Sequence, residues 1–150
     1  MEAALDALLV YGGSPWRYHS LALIGQNYGR VGRIDAALET LDHALVDSRR
    51  SGESADEAET LRLKGEVLLL RNVSASEAES CFREANQLAR RQEAKWWELR
   101  ATTSLARLLR DTNRRDEAYT MLFEIYNWFT EGFDTADLKD AKALLEELKK

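Results

Sequence analysis

Two histidines, His19 and His43, and one cysteine, Cys81, are the side chains of this sequence best suited to acid–base, nucleophilic or metal chemistry. A nucleophile needs a base held beside it, and nothing around Cys81 supplies one. The two histidines fall in different predicted helices, and no H-E-x-x-H, C-x-x-C, calcium-loop or G-x-x-x-x-G-K-[ST] pattern occurs. The 26 acidic residues are scattered at the spacing of helix surfaces. The sequence therefore predicts no catalytic residue, no metal site and no cofactor. Cys81, in the pattern Ala78, Cys81, Phe82, Ala85, reads as a small core residue, and a lone thiol allows no internal disulfide.

Composition narrows the partners. The 26 acidic against 21 basic side chains leave a formal charge of −5, which repels a phosphate backbone, so nucleic acid is not expected. No apolar run, that at residues 67–70 included, approaches the ~20 residues of a spanning helix, and the start of the chain lacks the pattern of a signal peptide. No membrane partner and a cytoplasmic location are expected. Apolar residues at 45%, charged residues at 31%, one proline and eight glycines suit an all-α domain better than a many-stranded β fold.

The elements that must position any site come from a repeat. In one block Leu21, Ile24, Gly25 and Tyr28 are followed by Ala37, Leu41 and Ala44; in the next Leu61, Gly65 and Leu68 are followed by Ala78, Phe82 and Ala85. The third has Thr102, Leu105, Ala106 and Leu109, then Ala118, Leu122 and Ile125. A small residue midway along one helix lets the next approach closely, and apolar residues at steps of three and four give each helix a stripe to bury. Gly25, Gly65 and Ala106 advance by 40 and then 41, whereas Ala37, Ala78 and Ala118 advance by 41 and then 40, so one connecting turn is a residue longer.

The spacing predicts helices over 2–11, 15–31, 34–50, 55–71, 75–92, 95–111, 115–129 and 135–149. Ser14 with Pro15, Ser74 with Glu77, and Asp134 with Asp137 read as N-terminal caps, and Gly12, Gly32, Gly52 and Gly132 as stops. One domain over 1–150 is expected: a flanking or partial helix in 1–13, repeats over 14–52, 53–93 and 94–132, and a capping helix in 133–150. Ala4, Leu5 and Gly12 fall one period before Ala44, Leu45 and Gly52, which suggests an array cut from a longer one.

The order Leu21, Ile24-Gly25, Tyr28, Ala37, Leu41, repeated in the other blocks, resembles the tetratricopeptide signature. The period exceeds that family's ~34 residues and the closing proline is absent, which keeps HEAT-like and armadillo-like arrays, at ~40–47 residues, as alternatives. Residues 77–148, above all WFTEGFDTADLKDAKALL from Trp128 to Leu145, also resemble the C-terminal repeat region of large bacterial regulators that carry an ATPase module with a nucleotide cyclase or DNA-binding domain. These resemblances imply a right-handed α-solenoid of about seven or eight helices in antiparallel pairs. They imply a non-catalytic module that binds a protein or peptide, within bacterial signalling or regulation.

In such arrays the first helices of successive pairs line a concave face. That assigns a peptide-binding role to the exposed side of 15–31, 55–71 and 95–111: Gln26, Arg30, Arg62 and Glu66, then Arg100, Thr103, Arg107 and Arg110, with His19 and Glu59 nearby. Guanidinium groups pair with carboxylates in bidentate fashion, so an acidic segment is the expected partner. The solvated alternative balances the arginines against Glu59, Glu66 and Asp111. Ala22 and Leu63 stand where the carboxylate clamp of some family members has Lys and Asn, so that clamp's ligand is not expected.

Trp16 and Trp97, at equivalent helix starts, read as wedges between helices, with Tyr18 and Trp96 as walls of an alternative small-molecule pocket. Trp128, Phe129 and Phe133 read as the seat of the last helix. Two alternative functions remain: a small-molecule or peptide-sensing array, and a homodimer formed through apolar surface on residues 2–11.

Overall fold

Helices that bury one stripe must find a facing stripe, and the computed structural model, which describes residues 17–52, 55–72 and 75–150, is built on that need. Among the described residues there are seven helices and no strand. They are α1 (Arg17–Arg30), α2 (Ile34–Ser51), α3 (Glu57–Leu70), α4 (Ala75–Arg91), α5 (Lys95–Asp111), α6 (Arg115–Trp128) and α7 (Ala136–Leu148). Boundaries fall within a residue or two of those expected from the spacing. The expected helix 2–11, Gly12, the Ser14 and Ser74 caps and Trp16 lie outside the described residues. No helix among the described residues is long and apolar enough to cross a membrane.

The chain divides into two compact units, Met1–Cys81 and Phe82–Lys150, with the boundary inside α4. In the first, α1 packs on α2, α2 on α3, and α1 also meets α3. Ion pairs between Arg49 and Glu57 (2.6 Å), Asp42 and Lys64 (2.7 Å), and Asp35 and Arg71 (3.3 Å) descend α2 while they climb α3, so the two helices are antiparallel. Tyr28, Ala37, Leu41, Leu63 and Val67 are buried in one cluster. Gly25 sets the spacing: a Cβ there would stand 2.7 Å from Leu41 Cγ and 3.3 Å from the Ala37 carbonyl oxygen. The repeat's small residue thus lies directly against α2.

In the second unit α5 packs on α6, α6 on α7, and α5 also meets α7. The C-terminal part of α4 runs antiparallel to α5, since the Asn86 side-chain amide donates to Thr102 Oγ1 (2.6 Å) and Arg90 Nε donates to Glu98 (2.9 Å). Phe82, Leu99, Leu105, Leu109, Leu122, Ile125 and Leu138 are fully buried. Each such side chain contributes roughly 1.5–3 kcal/mol by leaving water.

The turns repeat as well. Gly32 (φ 79°), Asn72 (φ 59°) and Asn113 (φ 61°) follow α1, α3 and α5, while Gly52 (φ 74°) and Glu93 (φ 55°) follow α2 and α4. At Gly32, Glu93 and Asn113 the amide bonds back to the carbonyl three residues earlier, and the next amide reaches the one five back, which closes the helix. The sequence marks its stops by glycine, and asparagine, which tolerates the left-handed region, serves there too.

Four expectations change. Gly132 (φ 79°) does not end α6, which stops at Trp128 with Phe129 extended; it lies in the loop before α7. The residue that flanks the start of α7 is Thr135, whose hydroxyl donates to the Gly132 carbonyl, not Asp134. Cys81 is half-buried, because the stripe that faces the core is Ala78, Phe82, Ala85 and Ala89, and Cys81 sits at its edge. Trp128 and Phe133 are largely exposed, since α7 is seated instead by its own Leu138, Ala141, Leu144, Leu145 and Leu148.

Candidate functional site

Arg17 pairs with Asp47 at 2.8 Å while Gly29 lies beside Ala37, so α1 also runs antiparallel to α2; α1 and α3 therefore run in the same direction and meet over Gly29. A Cβ at Gly29 would lie 3.0 Å from Val67 Cγ2 and 3.9 Å from Leu70 Cδ1. Beside that close contact lies a cavity of about 170 Å³, half open to solvent, with Gln26, Gly29 and Arg30 of α1 on one side and Arg62, Leu63, Glu66, Val67 and Leu70 of α3 on the other. Four expected site residues, Gln26, Arg30, Arg62 and Glu66, are thereby brought together. Steps of four along each helix put both pairs on one face.

Their electrostatics differ from expectation. Arg62 was expected on an exposed side, but it is buried at 8% exposure. Its Nε and one terminal nitrogen donate to the two oxygens of Glu59, both at 2.8 Å, and the other terminal nitrogen donates to Glu66 at 3.2 Å. Glu59 is itself buried. A buried guanidinium persists only when its donors are used, and here its own helix uses them. Arg30 is different: it is exposed and makes no ion pair among the described residues. The cationic side of the cleft is therefore one arginine.

In the second unit Thr103 is also buried, its hydroxyl donating to the Leu99 carbonyl at 2.8 Å, so it too leaves the exposed side. A short hydroxyl whose bond is satisfied by its own helix can enter the packed face of α5. Arg100, Arg107 and Arg110 do lie along α5, but each faces a carboxylate of α7. Arg100 stands 3.8 Å from Asp137, Arg107 3.6 Å from Asp140, and Arg110 3.0 Å from Glu147. Arg110 also binds Asp111 at 2.8 Å, and that hydrogen bond, followed by the attraction of Asp111 and Glu147, holds its pKa above the ordinary value against some desolvation. In the sequence α7 reads only as a capping helix. Asp137, Asp140 and Glu147, at steps of three and seven, were the available signal.

A second charged cluster joins α4 and α6, where Glu117 accepts from Arg83 (2.7 Å) and Arg114 (2.7 Å). The Arg83 hydrogen bond, then that of Arg114, lowers the Glu117 pKa below the usual glutamate value despite partial desolvation. On the outer face of α2 a wider, shallow depression of about 650 Å³ is rimmed by Asp35, Asp42 and Asp47. Arg71, Lys64 and Arg17 respectively hold those carboxylates.

His19, His43 and Cys81 lie on α1, α2 and α4. His19 Nδ1 is 3.7 Å from Asp56, and His43 Nε2 is 4.0 Å from Glu39. Among the described residues no group of three or more His, Cys, Asp or Glu side chains could hold a metal ion. Trp97 is half-buried under the Arg100 guanidinium (5.7 Å), whereas Trp96 is exposed and meets Phe129 edge-on at 5.6 Å. Tyr18 belongs to the first unit and Trp96 to the second, and neither lines the cleft.

The chain is thus an all-α protein whose consecutive helices pack on one another within each unit, with a side-chain-sized cleft between two parallel helices of the first. Comparison with protein-family models and with curated proteins finds no match to the chain.

Proposed function

We infer that the protein is a non-catalytic binding module, a right-handed tetratricopeptide-like solenoid that holds a peptide or protein segment along the first helices of its pairs. One observation carries the reading: Gln26, Arg30, Arg62 and Glu66, which the resemblance to tetratricopeptide arrays assigns to the concave face, line a single half-open cavity. Its size also favours a peptide over a metabolite. Small-molecule sites usually occupy about 300–1,000 Å³, whereas about 170 Å³ accepts one side chain. The repeated steps of 40 and 41 and the recurring αL turns support the solenoid, and the resemblance of residues 77–148 to bacterial regulators suggests a signalling context.

Site-specific photo-crosslinking tests this. A crosslinker at Gln26 should capture one partner in cells, and the same group at His43, on the outer face of α2, should not. Equal capture from both positions, or none from Gln26, would remove the groove as the binding site.

A further inference from the structure

The charges around the cleft permit a more specific statement about what fills it, one that rests on the peptide-binding reading above. Arg62 is already neutralised by Glu59 and Glu66, so it offers an incoming carboxylate little. Arg30 remains, exposed and without an ion pair among the described residues. The walls beside it are apolar or backbone: Gly29, Leu63, Val67 and Leu70. Leu70 is 61% exposed at the mouth of the cavity. Its exposed face and the Gly29 backbone together form a seat for an apolar group.

We propose that the cleft between α1 and α3 recognises an extended peptide by one apolar side chain of about leucine to phenylalanine size, together with one carboxylate two residues away that pairs with Arg30. A cavity of 150 Å³ holds a benzene ring, and this one, at about 170 Å³, takes a single side chain and no more. In an extended segment residues two apart share a face, ~7 Å from each other. An anchor seated in the cavity against Leu70 therefore brings its second neighbour to the rim where Arg30 stands. A run of acidic residues is disfavoured, because Glu66 lines the opposite wall. The ligand is an apolar–acidic pair, not the acidic tract that an arginine-lined groove would select.

The test is selection from a random peptide display library on the full chain, followed by fluorescence-polarisation titration of a labelled synthetic peptide with Leu and Asp two residues apart in a serine background. Enriched peptides should carry the apolar–acidic pair. Arg30→Glu should weaken the synthetic peptide about tenfold or more, and much less so when its Asp is replaced by Asn. Leu70→Lys should weaken both peptides. Both substitutions are at exposed positions, and unchanged circular dichroism would verify folding. Enriched peptides that lack the pair, yet lose affinity with Arg30→Glu and Leu70→Lys, would overturn this specificity and leave the groove standing. Peptides indifferent to both substitutions, or no enrichment at all, would overturn the specificity and the groove together.

Discussion

Replacing Gly25 by alanine sets two physical effects against each other. Alanine in a helix interior is worth about 1 kcal/mol over glycine, so propensity alone predicts stabilisation. The structure predicts the opposite sign. A Cβ at Gly25 would meet Leu41 Cγ at 2.7 Å and Cδ2 at 2.9 Å, with the Ala37 carbonyl oxygen at 3.3 Å behind them. Leu41 is fully buried and cannot swing into solvent. Overpacking of this kind costs ~1–3 kcal/mol, which leaves a net loss of up to ~2 kcal/mol after propensity is subtracted. In a chain of this length, 1 kcal/mol corresponds to a melting shift of ~2–4 °C. Gly25→Val should lose more, because it adds bulk with a smaller propensity gain. Urea unfolding followed by far-UV circular dichroism measures both. Leu41→Ala, costly alone at ~2–5 kcal/mol, should make Gly25→Ala nearly harmless or favourable in the double variant, a coupling of ~1–2 kcal/mol. If Gly25→Ala raises stability in the native background, or the two substitutions simply add, then the close approach of α1 and α2 is not what fixes the repeat.

Glu93, at φ 55°, holds a left-handed conformation that costs an L side chain ~1–2 kcal/mol, so Glu93→Gly should raise the melting temperature, and Asn113→Gly should do so by less; a drop with Glu93→Gly would refute the turn argument. Phe82→Ala removes a fully buried ring and should cost ~3–5 kcal/mol in the same urea assay, with a loss under ~1 kcal/mol counting against a packed core at that point. The Glu117 pKa is lowered in the fold, so its stabilisation is present above the ordinary glutamate value of 4.5 and fades as pH falls through the lower folded value. Wild type should accordingly exceed Glu117→Gln at pH 7, and the gap should close in acid; with the carboxylate 37% exposed, the difference is expected at ~1 kcal/mol or less, and a gap independent of pH would exclude the linkage.

The helices were legible because their information is local. Leu41 and Leu45, or Leu105, Leu108 and Leu109, mark a buried stripe by spacing alone, and Gly25 marks a close contact by its size. Charged residues carry no such mark. Arg62 and Thr103 look like surface side chains in the sequence, and their burial follows from bonds to Glu59 and to the Leu99 carbonyl that only the folded helix brings within reach. The carboxylates of α7 opposite Arg100, Arg107 and Arg110 depend on how α5 and α7 are set side by side, which the sequence period does not specify. Large aromatics misled for a related reason: size argued for burial of Trp128 and Phe133, but enough leucine on α7 already fills the interface. Of the cleft, Gln26, Arg30, Arg62 and Glu66 were legible through the resemblance to tetratricopeptide arrays, and its apolar walls and charge state were not.

The tryptophans are distributed so unevenly that they can serve as an optical gauge. Trp96, Trp97 and Trp128 all belong to the second unit, so in a Trp16→Phe protein every indole reports from residues 96–128. Its emission colour should follow the melting of that half alone, while circular dichroism follows helices in both, and any gap between the two curves would measure how independently the halves come apart.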